Sequence, residues 1–335
     1  MNWSKGFSSK CYATFVDPIS WKDTERFEIT GGTLKRSDSG LRASADVSCV
    51  KYNQQNERLI RIWMDTEQSG SSGHTPLFTG FAEAPERDID GVFEENPLTC
   101  YSVLKSAQDV FLPLGYYAPI GISGGQLVKQ LLSSNTSAPI RIIGDLPALS
   151  QYIIAEDKEN CLSMSEKILL ATNGRLRVLG NGEVEIRPRE VEISETFDPL
   201  NNDVIEPQLN AVNDLYSCPN VFRAVLDNTS AIARDDSLNS PLSTVNRGRE
   251  VWAEEKDCDL SDDETLAEYA QRRLLEEQRH YLTISYNRRF YPDVLPSDLV
   301  ALNYPAQKLV GRFYVVSQSI ELGYGARTSE EVVQV

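Results

Sequence analysis

The sequence is poor in histidine: its 335 residues include only His74 and His280. Histidine is the side chain most often used as a general base, and it is the commonest metal ligand. Mechanisms that need a histidine beside a nucleophile therefore have few candidates here. The phosphate-binding glycine patterns GxxxxGK[ST] and GxGxxG are also missing. Adjacent acidic residues are common, but neighbours in sequence do not converge on one substrate, so nothing in the sequence demands catalysis.

Long apolar runs and an excess of basic residues are missing as well. No stretch approaches the ~20 apolar residues of a membrane span, and the start, MNWSKGFSSKCYATF, lacks the basic and then apolar segments of a signal peptide. We therefore expect a soluble chain that is synthesised in the cytoplasm and does not bind membranes stably. Asp and Glu outnumber Lys and Arg by 49 to 33, a net charge of -16, so free nucleic acid should be repelled.

Six cysteines are present, but no two of them form a CxxC pair. They stand at positions 11, 49, 100, 161, 218 and 258. Because the gaps are dozens of residues long and no secretion signal is recognisable, we expect reduced, mostly buried thiols.

The two ends of the chain have the patterns of β-strands, and the middle is mixed. The length predicts two or three domains. Alternating runs such as Tyr12–Val16 and Ala43–Val50 predict strands in the first hundred residues, and strands return after residue 205. Turns are predicted at Gly31-Gly32, at 69–73 and at Asp90-Gly91. The pattern as a whole indicates an α+β fold that is mostly β.

Three capping boxes predict helices in the middle and near the end. In a capping box a Ser at the N-cap is followed three residues later by Glu or Gln. The boxes are Ser123 with Gln126, Ser163 with Glu166, and Ser261 with Glu264, the last of which opens a predicted helix over 262–279. Alternation on both sides of Gly180-Asn181-Gly182 predicts a hairpin. The polar stretch 227–248 predicts a long exposed loop.

One short motif raises the possibility of a nucleophile. Gly121-Ile122-Ser123-Gly124-Gly125 matches G-x-S-x-G, which in α/β-hydrolases exposes a Ser on a sharp strand-to-helix turn beside a His. Here the preceding segment FLPLGYYAPI contains two prolines and is a poor buried strand. Ser123 also fits the N-cap of the following helix, and we favour that structural interpretation.

A second motif resembles part of a calcium loop. Acidic and hydroxyl residues occupy the first, third, fifth, seventh and twelfth places of that pattern: Asp257, Asp259, Ser261, Asp263 and Glu268. The sixth place, where the turn requires Gly, is Asp262, and no clear helix precedes the loop. The same residues are explained by an acidic first turn at a helix N-terminus, and we favour that interpretation.

Diffuse patterns over most of the chain resemble bacteriophage and prophage tail hub proteins. The clearest are the segments ETLAEYAQRRLLEEQ, YNRRFYPDVLPSDLVALNY and LVGRFYVVSQSIELGYGARTSEEV. Members of that family commonly continue from a helix to P-G-D-x-V and then L-x-G-x-F-x-V-x-S-x-x-I-x-L-G; here Ser297 stands in place of the Gly. Four further segments are similar to hubs of Gram-positive phages: DPISW, TGGTLKRSDSGLRASADVSC, VLKSAQDVFLPLGYYAP and KILLATNGRLRVLGNGEVEI.

The resemblance implies two tail-tube-like β-barrel modules, at 1–105 and 205–335, around a mixed α/β region at 106–204. It implies a homotrimer in the virion, forming a pseudo-sixfold ring at the tail tip or baseplate. Its implied partners are the distal tail or tail tube protein, the tape measure protein and the tip, spike or receptor-binding protein, with phage DNA only in passage. It implies no catalytic, cofactor-binding or metal-binding residues. The acidic balance suits a conduit for DNA.

Two other functions stay open at this point. One is a tail-associated cell-wall hydrolase that uses buried carboxylates or Ser123. The other is a host carbohydrate-binding protein, for which an aromatic platform is expected. The four tryptophans are too scattered along the sequence to predict such a platform: Trp3, Trp21, Trp63 and Trp252.

Overall fold

The computed structural model describes residues 1–3, 5–50, 52, 56–83, 95–189, 192–199, 204–279, 281–323 and 325–335. Strands dominate and helices are few, so the fold is α+β and mostly β, as predicted. No helix in these ranges is long and apolar enough to cross a lipid bilayer. The predicted turn at Asp90-Gly91 and the residue His280 lie outside the described residues.

The first β-module is a closed barrel. Its strands are β1 (Ser8–Val16), β2 (Asp23–Ser37), β3 (Ala43–Val50), β4 (Arg58–Gln68), β5 (Ser71–Ala82) and β6 (Glu95–Ser102). They follow the order β1-β4-β5-β6-β3-β2, and β2 pairs back onto β1. Alternate apolar side chains such as Ile60, Ile62 and Met64 fill the core. Closure leaves the barrel without an open edge.

The predicted turn at Gly31-Gly32 is wrong, because both glycines lie inside the long strand β2. The register against β3 shifts between Ile29 and Gly31. Gly32 has a φ of 139°, and a Cβ there would lie 2.3 Å from the Asp46 carbonyl oxygen. The glycines therefore mark a bulge in a continuous strand. The predicted turn at 69–73 is shorter than expected, since β5 already begins at Ser71.

The middle of the chain forms a small α/β unit. Its elements are α1 (Lys105–Gln108), β7 (Tyr117–Ala118), α2 (Gly124–Ser133), β8 (Ile140–Ile142), β9 (Ile153–Ile154), α3 (Cys161–Ala171), β10 (Gly174–Val178) and β11 (Val184–Pro188). The predicted hairpin is confirmed as β10 and β11, and β8 adds to it in parallel. Helix α3 begins at Cys161, after the N-cap Asn160, whose side chain accepts a hydrogen bond from the Ser163 amide. The predicted start at Ser163 is therefore wrong by one turn or less.

The β10–β11 turn attaches this unit to the barrel. The Thr79 hydroxyl donates to the Gly180 carbonyl at 2.8 Å, and the Trp21 indole donates to the Asn181 carbonyl at 3.1 Å. A Cβ at Gly180 would lie 1.9 Å from the Pro76 carbonyl oxygen. The glycine that suits the turn is thus also needed for the close approach of two backbones.

Two strands then begin a second β-module before the chain leaves it for an inserted unit. The strands are β12 (Ile193–Phe197) and β13 (Ile205–Asn213). The inserted unit contains β14 (Val221–Leu226), β15 (Thr229–Arg234), α4 (Thr244–Arg247), β16 (Trp252–Lys256) and α5 (Leu266–Arg279). Its sheet order is β15-β14-β16, and α5 packs on it through Tyr269, Ala270 and Leu274.

Two predictions about this inserted unit are wrong. The stretch 227–248 is not a long loop, because it contains β15 and α4. The last helix begins at Leu266 and not at 262: Thr265 and Glu268 form the reciprocal cap, with the Thr265 amide donating to the Glu268 carboxylate at 2.8 Å. Ser261 instead donates to Asp263 at 2.8 Å. The true capping box thus lies four residues after the predicted one.

Four more strands complete the second module. They are β17 (Leu282–Arg288), β18 (Leu299–Tyr304), β19 (Leu309–Glu321) and β20 (Thr328–Gln334), with a 3-10 turn at Pro305–Gln307. The order is β13-β17-β20-β19-β18-β12. Strand β12 therefore pairs with the last part of the chain, although it lies within 106–204. The division at 105 and 204 stays a prediction.

Candidate functional site

The two β-modules share one sheet, and its junction is the pairing of β2 with β19. Ser317 lies opposite Ser37, Ser319 opposite Lys35, and Glu321 opposite Thr33. Strand β19 is long enough to pair with β18 along its first half and with β2 along its last residues. One twelve-stranded sheet therefore runs through both modules.

The outer face of this junction is polar across seven strands. Because residues two apart share a face, the registers align two rows of side chains. The first row is Tyr101, Ser44, Lys35, Ser319, Ser329 and Asn287, and the second is Ser37, Ser317, Glu331, Ser285 and Asn210. All eleven residues line an open groove of about 1110 Å³. We call these eleven residues the polar sheet face.

Hydroxyl and amide groups dominate the polar sheet face. Its only charged members are Lys35 and Glu331, and the Lys35 ammonium lies 3.9 Å from the carboxylate of Asp46 on β3. The Ser329 hydroxyl donates to the Asn287 side chain at 2.6 Å. Such groups hydrogen-bond water well but provide neither a strong nucleophile nor a set of metal ligands.

The opposite face of the junction contains a buried charged network. The Arg288 guanidinium donates to both carboxylate oxygens of Glu330 at 2.8 Å, while Tyr286 and Gln318 donate to the same carboxylate at 2.6 and 2.7 Å. Burial would raise the pKa of Glu330, but the charge of Arg288 and these hydrogen bonds hold that pKa below its usual value. Burial, together with Arg288, lowers the pKa of the neighbouring Arg36 to about 10. The network fixes the sheet beneath the groove.

Ser123 is not part of a catalytic arrangement in the described residues. It precedes α2, as predicted, but its side chain does not cap the helix. The hydroxyl donates instead to the Leu146 carbonyl at 2.9 Å. The described histidine, His74, lies on β5, 2.6 Å from Asp65 and stacked on Trp63 with 4.1 Å between ring centroids. The structure therefore does not bring Ser123 and His74 together.

The calcium-like pattern lies in a bend between β16 and α5. No group of three or more His, Cys, Asp or Glu side chains among the described residues is placed to hold a metal ion. Asp259 is half-buried near Lys167 and Gln151, and burial raises its pKa to about 6. The bend contacts the middle unit through its backbone. Leu149 forms an isolated antiparallel β-bridge with Ser261, and the Ser150 amide donates to the Leu260 carbonyl at 3.3 Å.

The tryptophans and cysteines have structural contacts. Trp3 packs edge-on against Phe7 and Phe290, and the Trp252 indole donates to Glu250 at 2.9 Å. All six cysteines are described, are buried and form no disulfide, as expected. Burial raises the pKa of the Cys11 and Cys218 thiols to about 11, which keeps both protonated at neutral pH.

Sequence reasoning missed the polar sheet face. The available signal is the alternation of small polar residues with buried ones, as in Ser317-Gln318-Ser319 and Ser285-Tyr286-Asn287. Each run is too short to indicate a shared surface, because only the strand registers show which runs are neighbours.

The architecture of two joined β-modules with α/β insertions is that of phage and prophage tail proteins. Among the most similar solved structures is the tail protein from Neisseria meningitidis MC58, with a TM-score of 0.70 and 10% identity over 98% of this chain and 97% of that one. The 43 kDa tail protein of prophage MuSo2 from Shewanella oneidensis has a TM-score of 0.68 and 12% identity, covering 98% of both chains. Prophage tail protein gp18 from Listeria monocytogenes EGD-e has a TM-score of 0.58 and 11% identity over 98% of this chain and 94% of that one.

Comparisons at the level of sequence find less. No protein-family model matches the chain, and no curated protein matches it significantly. The structural likeness therefore establishes the fold, and it confirms at that level the resemblance to tail proteins seen in the sequence.

Proposed function

We propose that this chain is a structural hub of a phage tail tip or baseplate, or of a phage-derived particle, and that it has no enzymatic activity. The fold shared with tail proteins supports a role in a tail. Two six-stranded modules in one chain support a role as an adaptor. Three copies would present six modules, which suits a junction between a sixfold tube or distal-tail ring and a threefold tip.

The polar sheet face is the observation that carries the proposal of a genome channel. DNA binds where Lys and Arg neutralise phosphates. The basic residues that line this groove are Lys35, which lies beside Asp46, and two buried arginines: Arg36 donates to the Leu77 carbonyl and Arg42 pairs with Glu166. Serine and asparagine side chains keep a hydrated surface without holding the phosphate backbone. DNA would therefore pass along the face without being retained.

The partners follow from that position in the tail. We propose contacts with the tail tube or distal tail protein on one side of the ring and with the tip, spike or receptor-binding protein on the other. The tape measure protein and then DNA would occupy the channel. The protein would act in the virion after synthesis in the host cytoplasm.

The first test is the number of copies per particle, measured by quantitative mass spectrometry of tails purified from producing cells. Three copies are expected for the hub. Six or more would instead favour a component of the tube or the distal-tail ring. Absence from tails would overturn the structural role.

The second test changes the charge of the polar sheet face. The double variant Ser317→Lys, Ser319→Lys adds two cations where DNA is proposed to pass, so genome ejection should slow at low salt and recover partly at high salt, because phosphate binding is salt-dependent. The matched control is Ser71→Lys, Ser72→Lys at the exposed start of β5. Equal ejection by both variants would show that the face does not line the channel.

A further inference from the structure

The barrel, the middle unit, the inserted unit and the second module meet at one cleft of about 440 Å³. Its walls come from the β2–β3 turn, the ends of α3 and α5, and strands β10, β19 and β20. Five arginines and four carboxylates line it, so the cleft has a net positive charge in a chain whose net charge is -16. We call the cleft lined by these residues the arginine cleft: Arg42, Arg175, Arg189, Arg273, Arg279, Asp38, Glu166, Glu276 and Glu277.

The carboxylates of the arginine cleft are already directed to three of its arginines. The ion pairs are Glu276 with Arg189 at 2.8 Å and with Arg273 at 2.7 Å, Glu277 with Arg273 at 3.3 Å, and Glu166 with Arg42 at 3.1 Å. Burial lowers the pKa of Arg42, and the charges of Glu166 and Asp38 oppose that shift. The acidic groups of the cleft are therefore used by Arg42, Arg189 and Arg273.

The other two arginines are less well compensated. The guanidinium of Arg279 packs over the Tyr314 ring at 4.9 Å, and no carboxylate of the described residues forms an ion pair with it. Arg175 shares the Asp298 carboxylate with Arg177 and lies 3.7 Å from it. Burial and Arg177 lower the pKa of Arg175 to about 9, and burial and neighbouring arginines lower the pKa of Arg279. An additional negative charge in the cleft would stabilise both cations.

Buried N–H donors around the cleft also lack acceptors. No acceptor among the described residues is found for Nε of Arg42, whose side chain is only 8% exposed. The same holds for Nη1 of Arg272 and Nε of Arg177, which lie on the elements that supply Arg273 and Arg175. A buried donor without an acceptor is costly, so folded proteins supply a protein group, a water molecule or an ion.

We propose that the arginine cleft binds a small oxyanion, a phosphate or a carboxylate compound, through Arg279, Arg175 and Arg42. Planar guanidinium groups bind such oxygens in pairs of parallel hydrogen bonds, and the volume of the cleft is in the range of small-molecule sites. Water would accept the same hydrogen bonds but would leave the arginine charges uncompensated.

The position of the site gives the anion a structural effect. Because the walls come from all four parts of the chain, a bound anion would hold the middle and inserted units against the sheet. The inference goes beyond the proposed function, since anion binding by the isolated chain does not depend on a role in a tail.

Anion binding by the full chain tests the site. Phosphate or citrate, added in chloride buffer of fixed ionic strength, should bind at one site by isothermal titration calorimetry and should raise the melting temperature at concentrations near its Kd. Exclusion of such salts from protein surfaces also stabilises folded proteins, but it gives no saturable heat of binding. Saturable binding of either anion supports the site, and the tighter one indicates the class of ligand. Absence of saturable binding for both would overturn it.

An arginine variant locates the binding in the cleft. Arg279→Gln should weaken the affinity at least about tenfold, because it removes a charged donor. The matched control is Arg249→Gln. Arg249 also packs on a ring, Tyr216 at 5.0 Å, but it is exposed and lies outside the cleft, so its loss should leave the affinity unchanged. Equal affinities for both variants would show that the anion binds elsewhere and would overturn the assignment.

A second pair of variants leaves the arginines unchanged and stays decisive when Arg279→Gln does not fold. Ser39 is exposed in the β2–β3 turn and lines the cleft. Ser39→Glu adds a carboxylate that competes with the anion for the guanidinium groups, so the affinity should fall several-fold. Ser39→Gln adds a side chain of the same size without the charge and should bind as the wild type does. Equal affinities for this pair would contradict an anion site in the cleft.

Discussion

The two β-modules contain the same number of strands but complete their sheets differently. The first closes on itself through β1 and β2, whereas no pairing between β12 and β13 closes the second within the described residues. The second module also contributes Phe290, Ile320 and Leu322 to the core of the first. The first module thus forms a closed support, whereas the second module shares its sheet and part of a core with the first. The modules should unfold together, because they share both a sheet and a core.

The buried side chains at the junction also differ between the two β-modules. The barrel side buries apolar contacts such as Leu34 on Ile320 and one charged group, Arg36, which donates to the Leu77 carbonyl. The second module instead buries an ion pair, Arg288 with Glu330. Buried ion pairs stabilise little relative to apolar contacts but are costly to break, because the remaining charge stays desolvated. The second module should therefore be more sensitive to loss of a single charge than the barrel.

The largest expected effect comes from breaking that pair. Arg288→Met leaves the Glu330 carboxylate buried with only Tyr286 and Gln318 as donors, so the free energy of unfolding should fall by about 3–5 kcal/mol. Urea unfolding followed by tryptophan fluorescence measures this. The control is Lys35→Met, which removes an exposed pair with Asp46 and should cost less than about 1 kcal/mol. Adding Glu330→Gln to Arg288→Met should restore part of the lost free energy of unfolding. Equal losses for Arg288→Met and Lys35→Met would contradict the expected difference between a buried and an exposed ion pair.

The next prediction concerns the bulge that lets one strand serve both modules. Strand β2 closes the barrel through Asp23–Glu28 and joins β19 through Thr33–Ser37, and Gly31-Gly32 lies between these two stretches. Gly32→Ala should cost about 2–3 kcal/mol, since its φ is positive and the added Cβ collides with the Asp46 carbonyl. Gly31→Ala meets nothing within 4 Å and serves as the matched control. Similar melting temperatures for the two variants would show that the bulge is not required.

That bulge also shows where sequence reasoning succeeded and failed. Ala43–Val50 was predictable in full because its apolar positions alternate, and the β10–β11 hairpin because glycines flank its turn. A glycine pair inside a strand gives the same local signal as a turn, and only the close approach of β3 distinguishes the two. The helix start at 262 failed because Ser261–Glu264 and Thr265–Glu268 both match the capping box. The polar sheet face depends on pairings between distant strands, which local patterns do not contain.

The next prediction concerns the contact between the inserted unit and the middle unit, and its expected effect is smaller. Burial raises the pKa of Asp259 to about 6, so the folded state favours the protonated acid, and stability falls as the pH rises from about 4 to 6. Asp259→Asn should remove that penalty and stabilise the protein by about 1 kcal/mol at pH 7, a value reduced because the group is partly exposed. Thermal melts at pH 7 and pH 4 measure it. The gain should shrink at pH 4; an equal gain at both pH values would mean that ionisation is not its cause.

The smallest effect separates a packing contact from a catalytic one. Ser123→Ala removes the hydrogen bond from the hydroxyl to the Leu146 carbonyl, so the free energy of unfolding should fall by about 1 kcal/mol, less than for Arg288→Met or Gly32→Ala. Ser134→Ala, an exposed serine at the end of α2, is the control for changes in that helix. A cell-wall zymogram of the wild type and both variants should show no difference. A hydroxyl that donates its hydrogen bond to a backbone carbonyl has no general base to activate it. If the wild type clears the cell wall in the zymogram and only Ser123→Ala fails to do so, the middle unit is an enzyme. The β-modules would then be a scaffold, and the middle unit would carry the active site.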